Sequence, residues 1–115
     1  MEVSEVAAAY LKNLRIRENW LPELPSAPPG WLLLLELTVA SGRGQQPTIT
    51  DLIFSAGLPS TTALRWINIL EENNLIIRTD DPKDRRRSHL CLTEAGMSIC
   101  SRMLRDLQER LNADL

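Results

Sequence analysis

The sequence holds little that marks a metal site, a disulfide scaffold or a catalytic centre. It has two cysteines, Cys91 and Cys100, and one histidine, His89. Neither a CxxC nor an HxxxH spacing occurs. No metal site can therefore be argued, and two cysteines nine positions apart do not make a disulfide framework. There is no glycine-rich phosphate loop and no His-Cys or His-Ser pair with room for a base, so no catalytic residue, enzyme activity or cofactor is expected. No apolar run, Trp31–Leu35 included, is nearly long enough to span a bilayer. The first residues include Glu2, Glu5 and alanines rather than a basic stretch before an apolar run. No secretory leader is expected, and the expected compartment is the cytoplasm.

What remains is an ordinary soluble composition. The chain has 115 residues, 43% hydrophobic and 24% charged, enough for one domain with a usable core. Its net charge is −2, the wrong sign for a crude nucleic-acid reading, but charge distribution decides more than the total. Residues 60–93 carry six basic and five acidic groups, whereas residues 1–59 carry four and six. The sharpest basic concentration is Arg85-Arg86-Arg87.

Periodicity divides the chain. Val3, Val6, Tyr10 and Leu14 recur at helical spacing and predict an N-terminal helix over 1–20. Pro22, Pro25, Pro28 and Pro29 predict a proline-rich linker over 21–29. A buried helix is expected from about Pro29 or Gly30 to about Ala40, because Leu32–Leu35 leave it no polar face. Thr50 is expected to cap a short helix through Ala56 that stops at Gly57. After the Leu58-Pro59 turn, Ser60 is expected to cap a helix to about Asn73, with Asn74 left-handed. Two helices joined by about three residues that include a glycine have helix-turn-helix spacing. The period then changes to two. Leu75–Arg78 and His89–Leu92 read as strands around a polar turn that includes Asp80-Asp81-Pro82, which makes a wing. Thr93 is expected to cap a final helix to about Asn112, within a C-terminal segment 94–115. There Met97, Cys100, Leu104, Leu107 and Leu111 form a seam of coiled-coil spacing. The expected fold is mainly α with a small β-hairpin: a single winged helix-turn-helix domain, core 30–93, with flanking helices.

Residues 48–96 resemble the MarR family of winged-helix regulators. The strongest match is Asp81-Pro82-Lys83-Asp84-Arg85-Arg86 followed by Leu92-Thr93 and Gly96, since the family's wing pattern is Asp-x-Arg, five residues, then Leu-Thr. Thr62, Arg65, Asn68, Leu70, Glu71, Leu75, Ile76 and Arg78 fall where the family favours those residue types. Asn74 stands where a glycine is usual, and Leu64 where a small polar residue is. The resemblance implies a homodimeric, double-stranded-DNA-binding transcription regulator. It implies pairing of Asp84 with Arg86 to hold the wing, dimerisation through the terminal helices, and a small aromatic acid as effector.

The chemistry of that reading is explicit. The second helix of a helix-turn-helix enters the major groove, where base edges show a distinct donor and acceptor code. Ser60, Thr61, Thr62, Arg65 and Asn68 would face DNA, while Ala63, Trp66, Ile67 and Leu70 face the core. Arg85, Arg86 and Arg87 would lie on the backbone or in a narrow minor groove. Met97, Cys100, Leu104, Leu107 and Leu111 would form the dimer seam. His89 is expected on a strand face as a satisfied or solvent-exposed group, and Cys91 and Cys100 as packing groups. Trp20 and Trp31 flank the linker and are expected in the core or at a dimer contact. The alternative is a winged-helix module that binds protein, suggested by the net negative charge and by Leu64 and Ile69 on the exposed side of the second helix.

Overall fold

The structure, a computed structural model, describes Ser4, Ala8 and residues 28–113. Ser4 and Ala8 are helical, and the rest of the expected N-terminal helix, Trp20 and most of the expected linker lie outside the described residues. The chain splits into two compact units: residues 28–97, and residues 98–115 together with 1–27. Among described residues 28–113, six elements run in the order α1 (Pro28–Gly42), α2 (Ile49–Ala56), α3 (Ser60–Glu72), β1 (Ile76–Asp80), β2 (Ser88–Leu92) and α4 (Glu94–Ala113). Three helices with a two-stranded antiparallel hairpin after the third make the winged helix-turn-helix.

α1 is the hub of the 28–97 unit. Prolines in its first turn cost nothing, because the amides they lack have no helical partner there. Leu33, Leu34 and Leu37 are buried, and the helix packs on α2, α3 and β2. Gly30 is required at its start. A Cβ there would come within 2.9 Å of the Trp66 ring of α3.

The helix-turn-helix departs from the expected caps by small, explicable shifts. Thr48, not Thr50, caps α2: its backbone is extended, and its Oγ1 accepts from the Asp51 amide at 3.1 Å. Thr50 already lies inside the first turn, where its hydroxyl has no orphan amide ahead of it. Gly57, at φ 66°, ends α2 with its amide donating to the Phe54 carbonyl. Pro59, not Ser60, occupies the capping position of α3 and offers no side-chain hydrogen bond. Its ring-fixed φ of −58° suits the extended cap conformation, so the helix starts at Ser60 and leaves that hydroxyl uncommitted to capping. Asn74 takes the left-handed conformation at φ 59°. The Leu75 amide reaches back to Leu70 and that of Asn74 to Glu71, a Schellman closure.

The hairpin pairs Ile76 with Leu92 through to Asp80 with Ser88. A third, very short partner lies along the other edge of β2: Thr48 bridges His89, and the Leu90 amide donates to the Pro47 carbonyl at 2.9 Å. The wing is thus stitched to the segment that enters α2. Thr93 caps α4 as expected, accepting from the Gly96 amide at 3.0 Å while its hydroxyl donates to the Asn74 carbonyl at 2.7 Å. Gly96 lies so close to the backbone carbonyl of Leu75 that a Cβ would sit 2.1 Å from its oxygen. In the second unit, Cys100 and Met103 of α4 are fully buried. No helix among the described residues is long and apolar enough to cross a membrane.

Candidate nucleic-acid interface

α3 separates its faces by the 3.6-residue period. Ala63, Trp66, Ile67 and Leu70 are buried, as their spacing predicts. That stripe leaves Ser60, Thr61, Arg65 and Asn68 exposed, with Thr62 half-buried. The open face therefore carries two free hydroxyls, a guanidinium and a carboxamide, groups able to donate to and accept from base edges and phosphates. Leu64 interrupts this face at 43% exposure.

The wing tip is shaped by two aspartates. Asp81 Oδ1 accepts from the amides of Lys83 (2.8 Å) and Asp84 (3.2 Å). Asp84 Oδ1 accepts from the amide and Nε of Arg86 at 3.0 and 3.2 Å, and the Arg86 Nη2 group lies 3.4 Å from Oδ2. These bonds, led by that with the Arg86 side chain, hold the Asp84 carboxyl below its ordinary value. Asp84 and Arg86 are thereby paired in the way the resemblance implies. The Arg86 side chain is nevertheless 90% exposed, so its outer face remains open to a second anion. Arg85 and Arg87 are exposed, and no ion pair engages either among the described residues. The backbone closes the tip through Asp81 to Arg87 and Arg87 to Asp84 bonds.

Two braces were not singled out from sequence. Arg78 of β1 reaches Glu71 of α3 at 2.6 Å, tying the wing strand to the second helix. His89 lies between two acceptors: Nδ1 is 2.7 Å from the Gln46 carbonyl and Nε2 is 2.8 Å from Asp81 Oδ2. The first brace spans seven residues and the second joins three separate segments, so only the strand register and the bridge at Thr48 reveal them. Phe54 on α2, 86% exposed, also went unmarked, because a single aromatic in a short amphipathic helix reads as core.

The residues expected to form a dimer seam divide. Cys100 is fully buried within the single chain, while Met97, Leu104 and Leu107 are half-buried. The side chain of Leu111 lies outside the described residues. Among the described residues no cluster of His, Cys, Asp and Glu could hold a metal. A cleft of about 480 Å³ opens between α1 and α2, lined in part by Glu36, Val39, Arg43, Gln46, Asp51 and Leu52.

Comparison with known proteins follows the same outline. The family model for the MarR family matches residues 42–88, from the end of α1 to the start of β2. Among curated proteins no sequence matches the chain. Solved structures share the fold at low identity. A DNA complex of S. aureus MepR superposes at TM-score 0.69 with 18% identity, covering 95% of this chain and 89% of that one. The transcriptional repressor CouR bound to a 23-mer duplex gives 0.67 and 22%, covering 91% and 71%. NadR in complex with 4-hydroxyphenylacetate gives 0.69 and 20%, covering 94% and 74%.

Proposed function

We infer, from a MarR-family match across the winged helix and a fold shared with regulators of that family, that this chain is a transcription regulator that binds specific double-stranded DNA. α3 enters the major groove and the wing, about 79–88, lies on the backbone or in the adjacent minor groove. The observation that carries the reading is a division of surface within one unit. α3 buries its apolar stripe and leaves Ser60, Thr61, Arg65 and Asn68 open, and the hairpin behind it exposes Arg85, Arg86 and Arg87. Arg65 has the fork geometry for a guanine edge, Asn68 for an adenine, and the hydroxyls of Ser60, Thr61 and Thr62 serve phosphates or bases. Leu64 fits a thymine methyl.

The reading includes a cytoplasmic homodimer, assembled through the terminal helices with Met97, Leu104, Leu107 and Leu111 as contacts, that meets a two-fold site. It assigns the protein no catalysis. A small aromatic acid as effector is part of the proposal, supported by the ligand in NadR; a thermal-shift screen that finds no stabilising aromatic acid counts against it. The test of the DNA reading is selection from a random duplex pool. Enrichment of a motif with two related half-sites supports it, and failure to enrich any motif at low salt contradicts it.

Phe54 and Leu64, exposed on α2 and α3, favour one second reading, a module that docks protein instead of DNA. Such a module does not bind heparin, whereas the DNA-binding protein is retained and elutes with moderate salt.

A further inference from the structure

The His89 imidazole adds a side-chain link between two parts of the winged helix that also meet through the backbone at residues 47–48. Its Nδ1 faces the carbonyl of Gln46, in the segment between α1 and α2, and its Nε2 faces Asp81 at the base of the wing tip. A backbone carbonyl only accepts. Asp81 is also an acceptor, because its Oδ1 already takes two backbone amides and a carboxylate so engaged stays ionised. Both ring nitrogens must therefore donate, which only the doubly protonated imidazolium can do. A neutral ring loses one of the two bonds and sets a nitrogen lone pair against an oxygen at 2.7 or 2.8 Å.

We propose that His89 is a positioning residue for DNA binding: as an imidazolium it braces the wing against the segment that enters α2, so that affinity for DNA rises as the ring takes its second proton. The inference rests on the DNA-binding reading and adds a regulation to it. Within the unit the groups that bear on the ring are few. Asp81 favours the charged form through its hydrogen bond, and Gln46 adds a second acceptor. Partial burial and the positive charge of Arg87 oppose it. Thr79, opposite His89 in the hairpin, and Thr48, its bridge partner, are uncharged. The balance raises the ring above its ordinary value of 6.5, toward the range where physiological pH acts on it.

The chain has a single histidine, so one imidazole proton resonance reports its titration without DNA. The experiment measures that resonance from pH 5 to 9 in the wild type, His89→Gln and Asp81→Asn. In parallel it measures anisotropy on a duplex selected from a random pool by the wild type at pH 6. Asp81→Asn keeps the oxygen that accepts the Lys83 and Asp84 amides but removes the charge. The expected result is a wild-type midpoint above 6.5, with affinity falling about tenfold between pH 6 and pH 8.5, the change that corresponds to a ring pKa about one unit higher in the DNA-bound protein than in the free one. His89→Gln should be flat with pH, and the Asp81→Asn step should move to lower pH. A wild-type midpoint at or below 6.5 overturns the proposal. So does a wild-type pH profile that persists in His89→Gln. An unshifted profile in Asp81→Asn overturns it as well, since His89 would then be touching phosphate directly. If the midpoint is raised but no duplex is bound at any pH, the DNA-binding reading has failed and this inference falls with it, an outcome distinct from pH-independent binding.

Discussion

At the scale of single residues, the exposed face of α3 could be read from sequence, because helical period alone separates the two faces of the helix. Ala63, Trp66, Ile67 and Leu70 are where a 3.6-residue stripe puts them, so Arg65 and Asn68 are exposed by elimination. Arg65→Ala is expected to cost about 1–3 kcal/mol of binding and to relax specificity at one base pair. Being exposed, it should leave stability within about 0.5 kcal/mol; anisotropy on single-base operator variants and a thermal melt measure the two. Gly96 was visible as part of a motif, but its reason was not. Only the fold shows that the Leu75 carbonyl fills the space a Cβ would need. Gly96→Ala should destabilise by about 1–3 kcal/mol, the usual cost of forcing extra volume into a packed site, read as a lower urea midpoint at unchanged slope. His89 was expected on a strand face as either a satisfied or a solvent-exposed group; it is satisfied, but its partners are 43 and 8 residues away, which periodicity cannot report.

The titrating residues of the wing also set a pH dependence of folding. His89 is raised above 6.5, by its bond to Asp81 first and to the Gln46 carbonyl second. Its stabilisation is therefore complete below about pH 6.5 and is lost as pH rises through the raised value. Asp81 and Asp84 are lowered below 3.8, Asp81 mainly by His89 and Asp84 mainly by Arg86. Their contribution is complete above 3.8 and is lost as pH falls through the lowered values. Thermal melts across pH should show the wild type losing stability relative to His89→Gln as pH rises above 6.5. A constant difference across that range contradicts the assignment.

At the scale of elements, type and order were legible, and so were the stops at Gly57 and Asn74 and the cap at Thr93, but the caps of α2 and α3 were not. The spacing of Gly57, Pro59 and Asn74 located the helix-turn-helix, and the change of period at Leu75 located the hairpin. The caps moved because capping is decided by backbone conformation as well as by residue type. Thr48 is extended by its bridge to His89 and so is placed to cap α2, while Pro59 takes the position expected of Ser60. Thr48→Ala should cost about 1 kcal/mol, and Thr50→Ala about nothing; equal losses in chemical denaturation would return the cap to Thr50. The short edge at 47–48 could not be read from sequence, since two residues show no alternation. It is this edge, with the Glu71–Arg78 pair, that ties the wing to the helices. An ion pair of that exposure adds under about 1 kcal/mol to stability, so its larger effect is on the direction of the wing.

At the scale of the whole molecule, a net charge of −2 argues against DNA only if charge is averaged. In three dimensions the exposed arginines of the wing and Arg65 of α3 belong to one unit, and a local field of that sign is what a polyanion meets. The proposed dimer is the least legible part. The seam expected from sequence includes Cys100, which is fully buried within one chain, so the proposed contacts with a second copy are the other seam residues, of which Met97, Leu104 and Leu107 are half-buried. The central claim is tested most directly by titrating salt in anisotropy with a selected duplex, comparing wild type with Arg85, Arg86 and Arg87 all changed to alanine. Counterion release predicts a logarithmic slope of about −0.9 per phosphate contact. The account predicts steeply salt-dependent binding by the wild type, with weaker affinity and a slope shallower by about two to three in the variant. Equal affinity and equal slope in the two proteins would contradict a role for the wing in binding DNA.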